Sequence, residues 1–522
     1  MNPHTSPTIE IELPIVRSAY YRFFEMLPAL ISWSLLGLTP ILSLWFPWPM
    51  SVVLLIYTSF WLYRSIGMST RLVMGYRRYR QAIGQDWLAR CQSLPVDRQW
   101  LNLRHAVIVA IYNEAPAIVD ATLTALAASQ YPSDRVMVVL AVEERGGPEA
   151  VRAVQALVKQ HRSNFGTIFY VVHPADQVGE VSGKGANITY AGRELLKFVL
   201  NEEIDPAQVM VTTLDADNRV HPKYLANLAY EFATDADPLH SSYQPLPMFF
   251  NNIWDVPLPI RSISVGSSFW QLTESIRPER LRNFSAHAQS LAALVATDFW
   301  SVRTIVEDGH QFWRTYFRFH GRHTVTPLYV PIYQDAVLSP KGYLASFRQQ
   351  YIQKRRWAWG ASDVAYVFTN LLDQPAIGWR GWLLGFRLLE GHVSWAITSL
   401  MLAIVGWSPL YLNTAFRTTI MAVNYPLIYT RILQFALLGL IISFVISLLL
   451  LPPLPARKRK FQLSLIFEWF SAPLLLPLTN VLFGSVPALD AQTRLFLGKY
   501  LEFKVTEKAA VREDQSVLIS RH

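Results

Sequence analysis

Two apolar runs follow one another near the start of the chain, from about Leu27 to Phe46 and from about Pro49 to Met68, and they limit its possible folds more than any other feature. Each is long enough to cross a hydrocarbon core of ~30 Å, which takes roughly 20 helical residues. Later runs lie near 384–407, 430–451 and 461–485. The first run is too long for the apolar core of a signal peptide, and no small-residue cleavage site follows it. The chain is therefore expected to be an integral membrane protein. These runs also explain why 51% of its residues are hydrophobic and only 16% charged.

A net charge of +9 first suggests an acidic partner such as nucleic acid. The placement of the charges points elsewhere. "RLVMGYRRYR" (71–80) follows the second run directly, and "ARKRK" (456–460) follows the fourth. Basic residues beside membrane spans mark the cytoplasmic side. Both ends of the first hairpin and the large middle region are thus expected in the cytoplasm, with the lipid bilayer rather than nucleic acid as partner. The expected location is a plasma membrane, the inner membrane in a bacterium. The basic tail from about 486 also favours the cytoplasm, which conflicts with five spans. Pro473 and Pro477 would allow the last run to be re-entrant, and the parity stays open. Cys91 is the one cysteine, which excludes an intrachain disulfide.

Between the runs, residues 100–235 alternate in type. "RHAVIVAIYNE" predicts a strand and "APAIVDATLTALAASQ" a helix. "RVMVVLAVEE" predicts a strand, "GPEAVRAVQALVKQH" a helix and "GTIFYVVH" a strand. "GKGANITYAGRELLKFVL" predicts a helix with a glycine-rich start, and "QVMVTTLDAD" a strand. Continuous apolar strands alternating with helices mean βαβ units and a parallel sheet covered on both faces. Ligands bind such sheets beyond the carboxyl ends of the strands. Polar residues collect at those ends: Tyr112, Asn113 and Glu114, then Glu143 and Glu144, then Asp215 and Asp217. One acidic crevice is expected.

Asp215 and Asp217 end a buried run one residue apart, a costly arrangement unless a cation or a set of donors meets them. Two carboxylates so spaced can reach one hard cation, and Mg²⁺ or Mn²⁺ prefers such ligands together with water and substrate phosphates. An ordinary turn, in which Asp217 and Asn218 merely close the strand, is the bland alternative. Three further stretches accompany the pair. "FWSVRTIVEDGHQFWR" carries Glu307 and Asp308. "YIQKRRWAWG" holds Gln353, Arg356 and Trp357 in a Q-x-x-R-W pattern. "SGKGAN" places Lys184 at a helix start, where it and backbone N–H groups would meet a phosphate. Taken singly, these read equally as a solvated turn, an interfacial helix anchored by Trp, and a glycine turn.

In order, the set resembles the membrane-integrated family-2 glycosyltransferases, the group that contains cellulose and hyaluronan synthases. The resemblance covers roughly residues 100–375 and the arrangement of two spans before the domain and several after it. It implies an α/β GT-A-like, Rossmann-like domain with a mostly parallel sheet, inserted between α-helical transmembrane segments. The implied organisation is residues 1–70 with two spans and 71–380 as the cytoplasmic domain, ending in an interfacial helix. Residues 381–485 would hold about three or four spans, and 486–522 a basic cytoplasmic tail. The implied activity is transfer of a hexose from a UDP- or GDP-linked sugar to a glycan hydroxyl, with inversion and a divalent cation, Mg²⁺ or Mn²⁺. A lipid-linked acceptor such as a polyprenyl phosphate is the alternative.

Carried over by position, Asp215 and Asp217 match the cation and diphosphate pair. Tyr112, Glu114 and Glu143 sit around the nucleotide. Asp308 matches the general base with Glu307 beside it, and Gln353, Arg356 and Trp357 match the motif that closes the donor site. Two departures stand out. The chain reads "VEERGG" where many members carry consecutive Asp residues, and Val306 precedes the E-D pair where many carry Thr or Gly. A sugar hydroxyl needs a positioned base at neutral pH, and the like charge of Glu307 next to Asp308 would favour proton uptake there. Lys184 and Arg356 would stabilise the departing diphosphate.

Arg387, Glu390 and His392 open the third apolar run, where they would line a polar path or snorkel at the interface. A transporter would carry its polar residues at the membrane midplane, whereas here they concentrate between the spans. A membrane-tethered nucleotide-binding regulator would not need Asp308 or the Q-x-x-R-W set.

Overall fold

The computed structural model of the protein describes residues 18–95, 100–456, 458, 475 and 477–501. Its centre is an eight-stranded sheet in the order β3-β2-β1-β4-β7-β6-β8-β5. The strands are β1 (Arg104–Ile111), β2 (Val136–Glu143), β3 (Thr167–His173), β4 (Val209–Asp215), β5 (Arg219–Val220), β6 (Ser241–Met248), β7 (Ala288–Ser290) and β8 (Thr324–Tyr333). The first four in spatial order run parallel. Every residue of β2 is buried, as a strand covered on both faces requires. Side chains alternate between two layers. Val107, Val109 and Ile111 pack with Val119, Leu123 and Leu126 of the Pro116–Ala127 helix, while Ala106 and Ile108 pack with Ile188, Ala191 and Leu195 of the Lys184–Asn201 helix.

The other half of the sheet is mixed. β7 runs antiparallel to both β4 and β6, and β6 is parallel to β8. A mostly parallel sheet was expected, but β7 is three residues long, too short for any periodicity in sequence to reveal its direction. The register places the strand ends side by side, with Ala110 opposite Asp215, Ile111 opposite Val142 and Glu143 opposite His173. Because β7 is reversed, its start reaches the same edge, and the Thr213 N–H donates to the His287 carbonyl.

Among the described residues, three helices are long and apolar enough to cross a membrane: Ala19–Trp45, Pro47–Gly84 and Ile420–Leu450. The pair Pro375–Ala403 and Val405–Leu412, bent by 46°, adds a fourth if it forms one span. Residues 461–474 and 476, most of the last expected run, fall outside the described residues, as do residues 502–522 of the tail. The long helices are apolar outward: Trp33, Leu38, Ile56, Ile66, Leu438 and Ile441 are exposed, while Ser32, Thr39, Ser43 and Thr58 are buried. Small polar residues permit close helix packing where the surroundings are as apolar as the core. Ser43 and Ser408 hydroxyls meet at 2.7 Å, and Ser32 donates to Gln492 at 2.8 Å.

The second helix, 38 residues long, spans about 57 Å at 1.5 Å per residue, well beyond a ~30 Å hydrocarbon core. Its surplus buries Leu72, Tyr79 and Ile83 among residues of β6, β8 and the Leu258–Glu274 helix. Gly75 allows that approach, since a Cβ there would lie 2.5 Å from the Leu272 carbonyl oxygen. Overpacking of this kind costs about 1–3 kcal/mol. Gly75→Val is therefore expected to lower the thermal unfolding midpoint of the purified protein, and an unchanged midpoint would contradict this packing.

Candidate active site

The strand ends open into one cavity of about 2200 Å³, and all eleven residues singled out from the sequence line it. After β1 the chain turns, and the Tyr112 N–H donates to Glu114 Oε2 at 2.8 Å. At the end of β2, Glu143 is buried, accepts from Arg145 Nε at 3.0 Å and lies 3.8 Å from His173 Nδ1. Glu144 is turned instead towards the Ala175 N–H, 2.8 Å away. After β4, Asp217 is buried and accepts from the Asp335 N–H at 3.0 Å. Asp215 accepts from Ser285 Oγ at 3.0 Å.

Lys184 opens the Lys184–Asn201 helix, and its ammonium lies 3.0 Å from Asp215 Oδ1 and 3.5 Å from Asp308 Oδ1. Burial alone would lower its pKa, but the charges of Asp215, Asp308 and Glu307 outweigh that and raise it well above the usual lysine range. One cation thus joins the end of β4 to the E-D pair. Gly185, next along, lets the segments touch: a Cβ there would lie 2.5 Å from the Ser301 carbonyl oxygen and 3.1 Å from Glu307 Cβ.

Glu307 and Asp308 form the first turn of the Glu307–Arg318 helix, where the helix dipole favours negative charge. Glu307 is 5% exposed, and burial pushes its carboxyl up to about 8. The negative charge of Asp308 adds to this, while Lys184 and Arg356 oppose it. Gln353, Arg356 and Trp357 lie on the Tyr343–Ala358 helix. Gln353 accepts from Gln350 at 3.2 Å, and the Trp357 ring packs on Phe249 at 5.7 Å. This helix is tied to Asp490 by Arg355 at 2.8 Å and Tyr351 at 3.0 Å.

Several neighbours carry no readable motif. His287 Nδ1 lies 3.5 Å from Asp308 Oδ1 and 3.0 Å from the Phe284 carbonyl, while its Nε2 accepts from the Trp300 indole at 3.2 Å. That indole bond assigns the ring proton to Nδ1, which donates to the Phe284 carbonyl. Burial lowers the imidazole pKa, which favours this neutral form. Ala286 just before it has φ of 68°, a left-handed conformation unusual for alanine. Lys354, inside the Q-x-x-R-W stretch, is buried, donates to Ser267 at 2.9 Å and sits 4.3 Å above the Trp357 ring. Burial pushes its amine down to about 7. Arg387, Glu390 and His392, from the Gly378–Ala403 helix, line the same cavity, with Glu390 ion-paired to Arg64.

Among the described residues, no group of three or more His, Cys, Asp or Glu is arranged to hold a metal ion. Asp215 and Asp217 provide two carboxylates at one edge, the number Mg²⁺ commonly takes when phosphate and water complete its shell.

No family model matches the chain, and no curated protein sequence does. Among solved structures the chain is similar to a mannosyltransferase, PcManGT from Pyrobaculum calidifontis, in complex with GDP-Man and Mn²⁺. That match has 15% identity and a TM-score of 0.40, covering 84% of this chain and 99% of that one. It is also similar to S. aureus TarS, with 15% identity and a TM-score of 0.29 over 65% of this chain and 54% of that one. The TarS 1–349 structure with UDP-GlcNAc matches at 15% identity and a TM-score of 0.30, over 66% and 90%. Likeness at these scores decides neither fold nor activity for this chain.

The raised pKa of Glu307 has a consequence for stability. Its folded value near 8 lies above its ordinary 4.5, so the folded state holds a proton that the unfolded state has released between those values. The stabilisation is complete below about pH 4.5 and is lost as pH rises through about 8. Glu307→Gln keeps the neutral form at every pH. The unfolding midpoint of the unaltered protein should therefore fall more steeply between pH 6 and 8.5 than that of the variant, and parallel slopes would contradict the assignment.

Proposed function

We propose that this protein is a membrane-integrated glycosyltransferase with a cytoplasmic GT-A-like domain. It moves a hexose from a nucleotide sugar, UDP- or GDP-linked, to a glycan hydroxyl with inversion, in polysaccharide synthesis. The observation that carries this reading is the Lys184 bridge. Its ammonium is within 3.5 Å of both Asp215, on the proposed leaving-group side, and Asp308, on the proposed base side, in a cavity that holds every other residue the chemistry needs.

In this mechanism the acceptor hydroxyl oxygen forms a bond to the anomeric carbon as the bond from that carbon to the diphosphate oxygen breaks. The electron pair leaves with the diphosphate, and the hydroxyl proton passes to Asp308. His287 flanks the Asp308 carboxylate at 3.5 Å, its Nδ1–H held by the Phe284 carbonyl. Glu307, protonated at neutral pH, adds no second charge beside the base. Lys184 and Arg356 stabilise the charge that develops on the leaving diphosphate. Asp215 and Asp217 would hold Mg²⁺ or Mn²⁺, which when bound supplies further electrostatic stabilisation to that group. Tyr112, Glu114 and Glu143 surround the nucleotide, while Gln353 and Trp357 close the site near the acceptor.

Asp308→Asn removes the proton acceptor and keeps the shape. The variant should bind nucleotide sugar within about twofold of the parent in calorimetry, while transfer falls by roughly 10²–10⁴-fold, the usual contribution of a positioned base. Near-normal transfer would sink the assignment.

A further inference from the structure

The cavity changes character along its length. Towards the membrane helices its wall carries five arginines: Arg64 from the second helix, Arg277, Arg280 and Arg282 from the segment after the Leu258–Glu274 helix, and Arg387 from the Gly378–Ala403 helix. The carboxylates at hand do not satisfy them all. Glu274 pairs with Arg277 and Glu390 with Arg64. Asp363 attracts Arg282 but is already hydrogen-bonded to His310 at 2.7 Å. Arg280 and Arg387 form no ion pair among the described residues; the like charges of Arg387 and Arg64 act on Arg280 against the attraction of Glu390 and Glu279. Arg71, beyond the wall on the same helix as Arg64, adds its charge to Arg280 and Arg64, and its buried Nε has no hydrogen-bond partner. The buried Nε of Arg277 has none either.

Like charges gathered in a partly buried place are unfavourable unless an anion joins them. Arginine forks suit the oxygens of a phosphate group, and basic pockets between membrane helices on the cytoplasmic side suit lipid headgroups. Arg280, Arg282 and Arg387 also border a cleft of about 10 Å³, no larger than one water, beside Leu384, Phe312 and Trp313. Arg282 stands three residues before Ser285, the donor to Asp215, a stretch of chain that reaches at most about 10 Å. The cationic wall is therefore within reach of the carboxylates through a short sugar headgroup.

We propose that this arginine-walled part of the cavity binds the phosphate of a membrane lipid that carries the acceptor, leaving the lipid's sugar hydroxyl to reach Asp308. The acceptor role rests on the function proposed above, whereas phosphate binding itself does not. The lipid is a sugar-bearing isoprenoid phosphate or a sugar-bearing glycerophospholipid, both of which present a charged phosphate ester at the headgroup.

The test omits nucleotide sugar, so its outcome is separate from that of sugar transfer. The protein, the double variant Arg280→Gln/Arg387→Gln and the charge-keeping variant Arg280→Lys/Arg387→Lys are placed in phosphatidylcholine nanodiscs. The discs are doped with polyprenyl monophosphate or with phosphatidylglycerol, and bound lipid is counted by native mass spectrometry. Loss of charged hydrogen bonds should weaken lipid-phosphate binding by about tenfold or more in the Gln variant. The Lys variant should retain an intermediate affinity, and binding of nucleoside diphosphate should match in all three, which shows that they are folded. Preference for polyprenyl monophosphate would identify an isoprenoid carrier, and equal binding of phosphatidylglycerol would identify the bulk headgroup; either supports the site. Equal lipid binding by the parent and the Gln variant, or no binding of either lipid by the parent, would overturn it.

Discussion

The buried ammonium of Lys184 is the interaction on which the site depends. Without it, Asp215, Asp308 and Glu307 would meet at the edge of the sheet without the one ammonium that attracts all three. With it, Asp215 and Asp308 stay tied to one centre, and the proton that the cluster retains settles on Glu307, the most buried of the three. Two strong attractions outweigh the desolvation of one lysine here, which is the balance that makes a buried charge tolerable. The same contact fixes the Glu307–Arg318 helix against the parallel half of the sheet, so that structure and chemistry share one bond.

The reversal of β7 is the second constraint. A parallel strand at that position would carry His287 to the far edge. Antiparallel pairing with β4 brings His287, Ser285 and Arg282 to the edge where the other strands end. From there the cavity continues between the long helices, and its lining shifts from carboxylates to arginines. The long second helix belongs to both regions, since its apolar part faces outward and its basic end packs into the domain.

The legible parts of this arrangement were those with a period or a spacing. Parallel strands buried on both faces write continuous apolar runs into the chain, and parallel register then forces their carboxyl ends into line. Tyr112, Glu143 and Asp215 could therefore be placed together before any coordinates. The E-D and Q-x-x-R-W stretches were visible as patterns, and they line the same cavity. What could not be read was every relation set by tertiary packing. The ion pairs of Lys184 with Asp215 and Asp308 leave no mark in the spacing of those three residues. The raised pKa falls on Glu307 because that side chain points into the core, a direction that adjacent positions in sequence do not encode. His287 sits in a segment without periodicity, held by a strained Ala286. The arginine wall gathers residues from three segments more than a hundred positions apart, each of which looks ordinary alone.

The central claim is that the cavity transfers a sugar from a nucleotide. The most direct measurement is transfer by the purified protein in nanodiscs of native lipid extract, with a panel of radiolabelled UDP- and GDP-sugars and with Mg²⁺, Mn²⁺ or a chelator. Products are separated into polymer, glycolipid and free sugar. The account predicts that one donor labels polymer or glycolipid, and that the chelator abolishes the label. Absence of label from every donor, in a preparation shown to bind nucleoside diphosphate, would contradict it.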